Sequence, residues 1–264
     1  MPYTENPLTG PYAERLPLAR APLVKVLAQV RFNDVLKIKQ EGFIADFQER
    51  LRRDYPDFSG EQTFALAIGP SGPQNVTPGK VWRFVNAEDN WRVSLEHNFV
   101  ALETRAYVSR DEFMKRLREV LVAVSECFEP SFARRVGVRY VDRVEEPQFA
   151  DLKDLVRSKM LGVVRSELHA HLSQAMSEAV FTTHEGKLSV RWGMLPPQGT
   201  YDPTTISPID APSWILDLDS YSEERSGFEV ERLVSVAEGL ARRAYTFFQW
   251  SVTEEFLTTY GADP

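Results

Sequence analysis

The chain has 264 residues, 43% of them hydrophobic and 26% charged, with a formal net charge of -7 and a pI near 5.3. That balance predicts a folded globular protein and opposes non-specific nucleic-acid binding, which is driven by phosphate neutralisation and counterion release. One cysteine excludes an intramolecular disulfide, and no apolar run reaches signal-peptide or membrane-spanning length, so a cytoplasmic protein with no membrane segment is expected.

Residues 1–22 carry Pro2, Pro7, Pro11, Pro17 and Pro22 among polar residues, which predicts an extended arm lying on the surface or on a partner subunit. From 23 to 32, Val24, Val26, Ala28, Val30 and Phe32 alternate with other positions, the pattern of a strand with one apolar face. Phe43, Phe47 and Leu51 recur at helical spacing within a helix over 42–53. A short strand at 63–68 and a Gly-Pro-rich loop at 69–79 come next. Segments 81–85, 91–95 and 99–108 read as a meander. Ser109 and Glu112 have capping-box spacing ahead of a helix whose stripe is Phe113, Leu117, Val120, Leu121, Val124 and Phe128.

The strongest strand signal lies at 134–144. Successive strand side chains point to opposite faces, so Val136, Val138, Tyr140, Asp142 and Val144 share one face and Arg135, Gly137, Arg139, Val141 and Arg143 the other. Pro147 ends the run because proline cannot donate to a ladder. Beyond it the pattern predicts a helix over 151–160, strands at 167–172, 178–184, 188–194 and 214–218, a long helix over 227–250 and a short one over 253–259. Between the last two strands, 195–212 holds prolines at 196, 197, 203, 208 and 212 and reads as an irregular loop, long enough to be functional. The sum is an α+β fold of mostly antiparallel sheets with amphipathic helices on one face, in two similar lobes. The division expected is an arm at 1–22, a first lobe at 23–147 and a second at 148–264, or else one continuous domain.

Four stretches carry a family resemblance: Ala-Pro-Leu-Val-Lys-Val-Leu-Ala-Gln-Val-Arg-Phe at 21–32, Arg-Val-Gly-Val-Arg-Tyr-Val-Asp-Arg-Val at 135–144, Trp-Ile-Leu-Asp-Leu-Asp at 214–219 and Phe-Gln-Trp-Ser-Val-Thr-Glu-Glu-Phe at 248–256. The chain resembles, over nearly its whole length, a sporadically distributed family of uncharacterised bacterial proteins of about this size. In that family the central block usually reads Arg-x-Gly-Leu-Arg-Tyr-Ile-Asn-x-Ile, so Asp142 stands in place of a neutral amide. The resemblance implies a class and no mechanism.

Arginine forks suit phosphates and carboxylates, so an anionic ligand lying across Arg135, Arg139 and Arg143 is one expectation, with Tyr140, Asp142 and Trp192 as further ligand-binding candidates. The competing and favoured one is a cross-strand ion-pair ladder with Glu96 and Glu103. Asp142, on the apolar face, needs a partner or a perturbed pKa. His169 with His171, and Asp217 with Asp219, have i, i+2 spacing and would hold a divalent metal only if the two pairs met. Cys127 reads as a small buried hydrophobe. Trp192 is a candidate to line a pocket or interface. No nucleophile elbow, phosphate loop, dinucleotide fingerprint or zincin motif is present, so no catalytic residue is assigned and no cofactor expected. The reading is a non-catalytic binding or regulatory protein, acting through a protein interface or an anionic small molecule and forming a homodimer. Its alternatives are a metal-assisted nuclease or phosphoesterase using His169, His171, Asp217 and Asp219, and a nucleic-acid sensor using the arginine face.

Overall fold

The structure is a computed structural model and describes residues 3–63, 66–69, 72–75 and 79–262. Its first strand, β1, spans Leu23–Phe32, with Val26, Ala28, Val30 and Phe32 buried as the alternation requires. The helix expected at 42–53 is shorter: two 3-10 turns lead into α1, Ile44–Leu51, which buries Phe47 and Leu51 and leaves Phe43 exposed. Strands β2 (Asp57–Thr63), β3 (Leu66–Gly69) and β4 (Gly72–Asn75) follow, with β3 and β4 paired antiparallel. The loop expected at 69–79 therefore contains a strand; residues 70, 71 and 76–78 lie outside the described residues.

The meander is present as β5 (Gly79–Val85), β6 (Trp91–Glu96) and β7 (Phe99–Thr104), all antiparallel. Ser109 caps α2 (Arg110–Phe128) by accepting a hydrogen bond from the Glu112 amide at 3.1 Å, satisfying one of the orphan donors of the first turn. Ser109→Ala is expected to cost about 1 kcal/mol of unfolding free energy, read by urea denaturation. After α2 comes β8 (Phe132–Val144), with Asp142 and Val144 buried.

The helix expected at 151–160 is broken into α3 (Leu152–Leu155) and α4 (Ser158–Leu161), because Val156 and Arg157 turn extended between them. Val156 forms a bridge to Val252, and the Arg157 amide donates to the Ser251 carbonyl at 3.0 Å. The strand expected at 167–172 is instead a 3-10 helix, Glu167–His171, started by Ser166, whose hydroxyl accepts from the Leu168 amide. Strands β9 (Ala175–Thr182), β10 (Lys187–Leu195) and β11 (Ser213–Ser222) pair antiparallel in the order β11-β10-β9. The two-residue β12 (Ser226–Gly227), the long α5 (Val230–Ser251) and α6 (Glu254–Thr259) end the chain.

The fold is α+β with a mostly antiparallel sheet. The chain forms two compact units, and the division falls within β8, at 136/137. One unit holds residues 27–136 and 223–235, with strand order β2-β5-β6-β7-β1 and helices α1 and α2. The other holds residues 1–26, 137–222 and 236–264, with the second part of β8 followed by β11-β10-β9. In this second unit the arm lies along α5 of its own chain. The Ala13 amide donates to Thr246 Oγ1 at 3.0 Å, the Leu16 amide to Tyr245 Oη at 2.8 Å, and Gln249 Nε2 to the Glu14 carbonyl at 3.1 Å. No helix among the described residues is long and apolar enough to cross a membrane.

Candidate functional site

Alternation along β8 gives its second half two different environments. Val141 packs with Leu195, Ile206 and Ile215, on the face covered by the proline-rich segment 196–212. Tyr140 and Val144 belong to a different cluster, with Trp214, Leu216, Phe247 and Phe256. The covering segment carries its own scaffold. Thr200 Oγ1 donates to the Ile206 carbonyl at 2.8 Å, the Gln198 amide donates to the Ile209 carbonyl at 2.7 Å, and Ile206 is an apolar anchor. The Asp202 carboxylate accepts from the Thr204 amide and from the hydroxyls of Thr204 and Thr205, a local turn of the kind Asp-Pro-Thr-Thr favours.

Arg139 meets this scaffold with a two-pronged ion pair. Its Nε donates to Asp217 Oδ1 at 2.8 Å and its Nη2 to Asp217 Oδ2 at 2.7 Å, while Asp202 Oδ2 lies 3.3 Å from Nη1. The Tyr201 hydroxyl donates to Asp217 Oδ2 at 2.7 Å. Burial lowers the Arg139 pKa, but the hydrogen bonds and charge of Asp217 outweigh it and hold the guanidinium above its ordinary value. Burial and then the Asp217 charge push the Tyr201 phenol up. Burial would raise Asp202, yet the Thr204 and Thr205 hydrogen bonds and the Arg139 charge keep it below the usual carboxylate range. A polar recess of about 200 Å³ opens beside the pair, lined by Arg139, Ser189, Arg191, Asp202, Asp217 and Asp219. Arg139 is thus ion-paired, but with Asp217 and Asp202 and not with Glu96 or Glu103; Glu103 pairs with Arg92 at 3.3 Å.

Arg143, on the same face, is different. The residue is 6% exposed, and its Nη1 donates to the Ser207 carbonyl at 2.8 Å. Its Nε and Nη2 are buried and find no acceptor among the described residues. No carboxylate contacts it among the described residues, and burial lowers its pKa against the weaker opposing charges of Glu145 and Tyr201. Nearby in the fold, buried Lys25 donates from Nζ to the Thr204 carbonyl at 3.0 Å, so the segment 196–212 covers two buried cations besides Arg139. Arg135 does not join them. It belongs to the other unit, where its Nη1 lies 3.5 Å from Gln29 Oε1.

The remaining expected site residues point elsewhere. Tyr140 packs in the cluster on the far face of the sheet. Asp142, beside it, is 6% exposed, and its carboxyl has no hydrogen-bond or ion-pair partner among the described residues. Burial first, and then the Asp217 charge, push its carboxyl up to about 7. Tyr260 is pushed up to about 12 by burial and by the charges of Asp142 and Glu145. Trp192 pairs in register with Leu216 and lines a groove of about 500 Å³ with Phe181, Phe247, Trp250 and the 4–8 stretch of the arm, whereas its neighbour Arg191 pairs with Asp217 on the arginine face. Of the candidate residues, Arg139 and Arg143 thus lie together, and Tyr140, Asp142 and Trp192 lie behind the sheet.

His169 and His171 sit on the 3-10 helix, and Asp217 is engaged by Arg139. Among the described residues no group of three or more His, Cys, Asp or Glu side chains is placed to hold a metal ion. Cys127 is half-buried, and burial pushes its thiol up. Sequence reasoning missed Lys25, Tyr201, Asp202, Thr205 and Ser207; the Asp-Pro-Thr-Thr turn was the one local signal for any of them. No protein-family model matches the chain, and a search of curated proteins gives no significant match.

Proposed function

We propose that this chain is a binding protein for a small anionic ligand, held by Arg143 beneath the 196–212 segment. The observation that carries the reading is the Arg143 guanidinium, buried with two nitrogens lacking acceptors and with no carboxylate in contact among the described residues. An uncompensated buried ion costs several kcal/mol, and a phosphate or carboxylate supplies both the opposite charge and the missing pair of acceptors in the fork geometry that arginine favours. The route to it is local. The one side-chain hydrogen bond of Arg143 among the described residues is to a loop carbonyl, Ser207, so displacing 205–209 exchanges one neutral acceptor for a charged one. Lys25, whose Nζ donates to the Thr204 carbonyl, adds a second cation under the same segment, whereas Arg139 is neutralised by Asp217 and Asp202.

The Arg143→Met variant separates this reading from a purely structural role. Removing an uncompensated charge at similar volume is expected to stabilise the ligand-free protein by about 1–4 kcal/mol. The wild type alone should gain stability from inorganic phosphate, organic phosphates or di- and tricarboxylates, by about 2.7 kcal/mol at a hundredfold excess over Kd. Thermal melts of both proteins across that panel check it. Equal responses of the two proteins to every anion would contradict the proposal.

A further inference from the structure

We infer that β9 is a dimerisation edge, pairing antiparallel with β9 of a second copy of this chain about Val180; the inference is independent of the anion site. Among the described residues β10 is the one sheet neighbour of β9, with Val180 opposite Ser189 in register. On its other side the N–H and C=O groups of 175–182 meet no backbone partner among the described residues. Such a row of alternating donors and acceptors is a ready template for another extended strand, which would replace the solvent on it.

Exposed edges are ordinarily guarded by lysine, proline, bulges or charge. Strand Ala175–Thr182, of sequence AMSEAVFT, has neither lysine nor proline, and its one charge, Glu178, is engaged by Arg191 of β10 at 3.0 Å. Val180 is 59% exposed on this unguarded strand.

A second copy supplies a strand of the same kind, and two-fold symmetry restricts the register. A two-fold axis perpendicular to the sheet keeps each side chain on its own face, so opposed residues must have the same parity. Centring the axis on Val180 opposes two β-branched side chains, places Glu178 opposite the partner's Thr182, and places Ala179 opposite the partner's Phe181. Each of these is a compatible cross-strand pair. Centring it on Glu178 would instead oppose two like charges.

Sedimentation velocity of the full chain over a concentration series tests the inference. The wild type is expected to form a dimer that Val180→Lys abolishes, with the variant's far-UV circular dichroism unchanged because the side chain is exposed. In a Cys127→Ser background, which leaves no other cysteine, Val180→Cys is expected to cross-link into a dimer on mild oxidation. A wild type that stays monomeric at every concentration, or a dimer that survives Val180→Lys, overturns the inference. A dimer that Val180→Lys dissolves but Val180→Cys does not cross-link overturns the pairing about Val180.

Discussion

Arg243→Ala is expected to lower the unfolding free energy by about 3–5 kcal/mol, the cost of leaving one member of a buried ion pair without its partner. Arg243, on α5, is 2% exposed. Its Nε and Nη2 donate to the two Glu185 oxygens at 2.9 and 3.0 Å, and its Nη1 donates to the Pro7 carbonyl at 2.8 Å. Tyr12 stacks near the guanidinium and donates its hydroxyl to Glu185 Oε1 at 2.6 Å. One side chain therefore joins the arm, the turn after β9 and α5. Alanine leaves the Glu185 charge with Tyr12 as its remaining side-chain donor, and frees the arm. Urea denaturation gives the energy, and limited trypsin cleavage at Arg15 or Arg20 reports the arm. A loss under about 1 kcal/mol would mean that the pair behaves like an exposed one.

The same pair gives a pH dependence. Burial would raise Glu185, but the hydrogen bonds from Arg243 and Tyr12 outweigh it and hold its pKa below the ordinary 4.5. A depressed carboxyl contributes stability above its unfolded pKa, and that contribution is lost as pH falls through the folded value. The arm should loosen first on acidification.

Asp142→Asn is expected to act in the opposite direction and at higher pH. A carboxyl raised from 3.8 to about 7 makes the folded state bind more protons than the unfolded state between those values. Its contribution is complete at low pH and is lost as pH rises through 7. At about 1.4 kcal/mol per unit, the shift corresponds to on the order of 4 kcal/mol lost by pH 8. Asparagine keeps the shape and cannot ionise. The variant should match the wild type near pH 3, below the unfolded pKa, and exceed its stability by a few kcal/mol near pH 8. Parallel stability–pH curves for the two proteins would mean that Asp142 is not the group titrating.

What was readable in the sequence was what local periodicity and local caps determine. β1, the meander, α2 with its Ser109 cap, β8 and α5 all sit close to where their alternation or apolar stripe puts them. Glu167-Leu-His-Ala-His-Leu alternates like a strand, but no neighbour pairs with it, and the Ser166 hydroxyl starts a 3-10 turn instead. The 151–160 helix breaks because residues 156 and 157 bond to 251 and 252, partners invisible to a local pattern. The site follows the same rule. Alternation put Arg139 and Arg143 on one face, but their partners, Asp217, Asp202 and Ser207, lie more than sixty positions away, beside β8 only because β11 is its sheet neighbour. The absence of a counter-ion at Arg143 has no sequence signature at all.

Native mass spectrometry of the full chain, wild type beside Arg143→Met, tests the central claim most directly. The account predicts a small anionic molecule that stays with the folded wild type, leaves on denaturation and is absent from the variant. The bare chain mass in both proteins, or the same adduct on both, would contradict it.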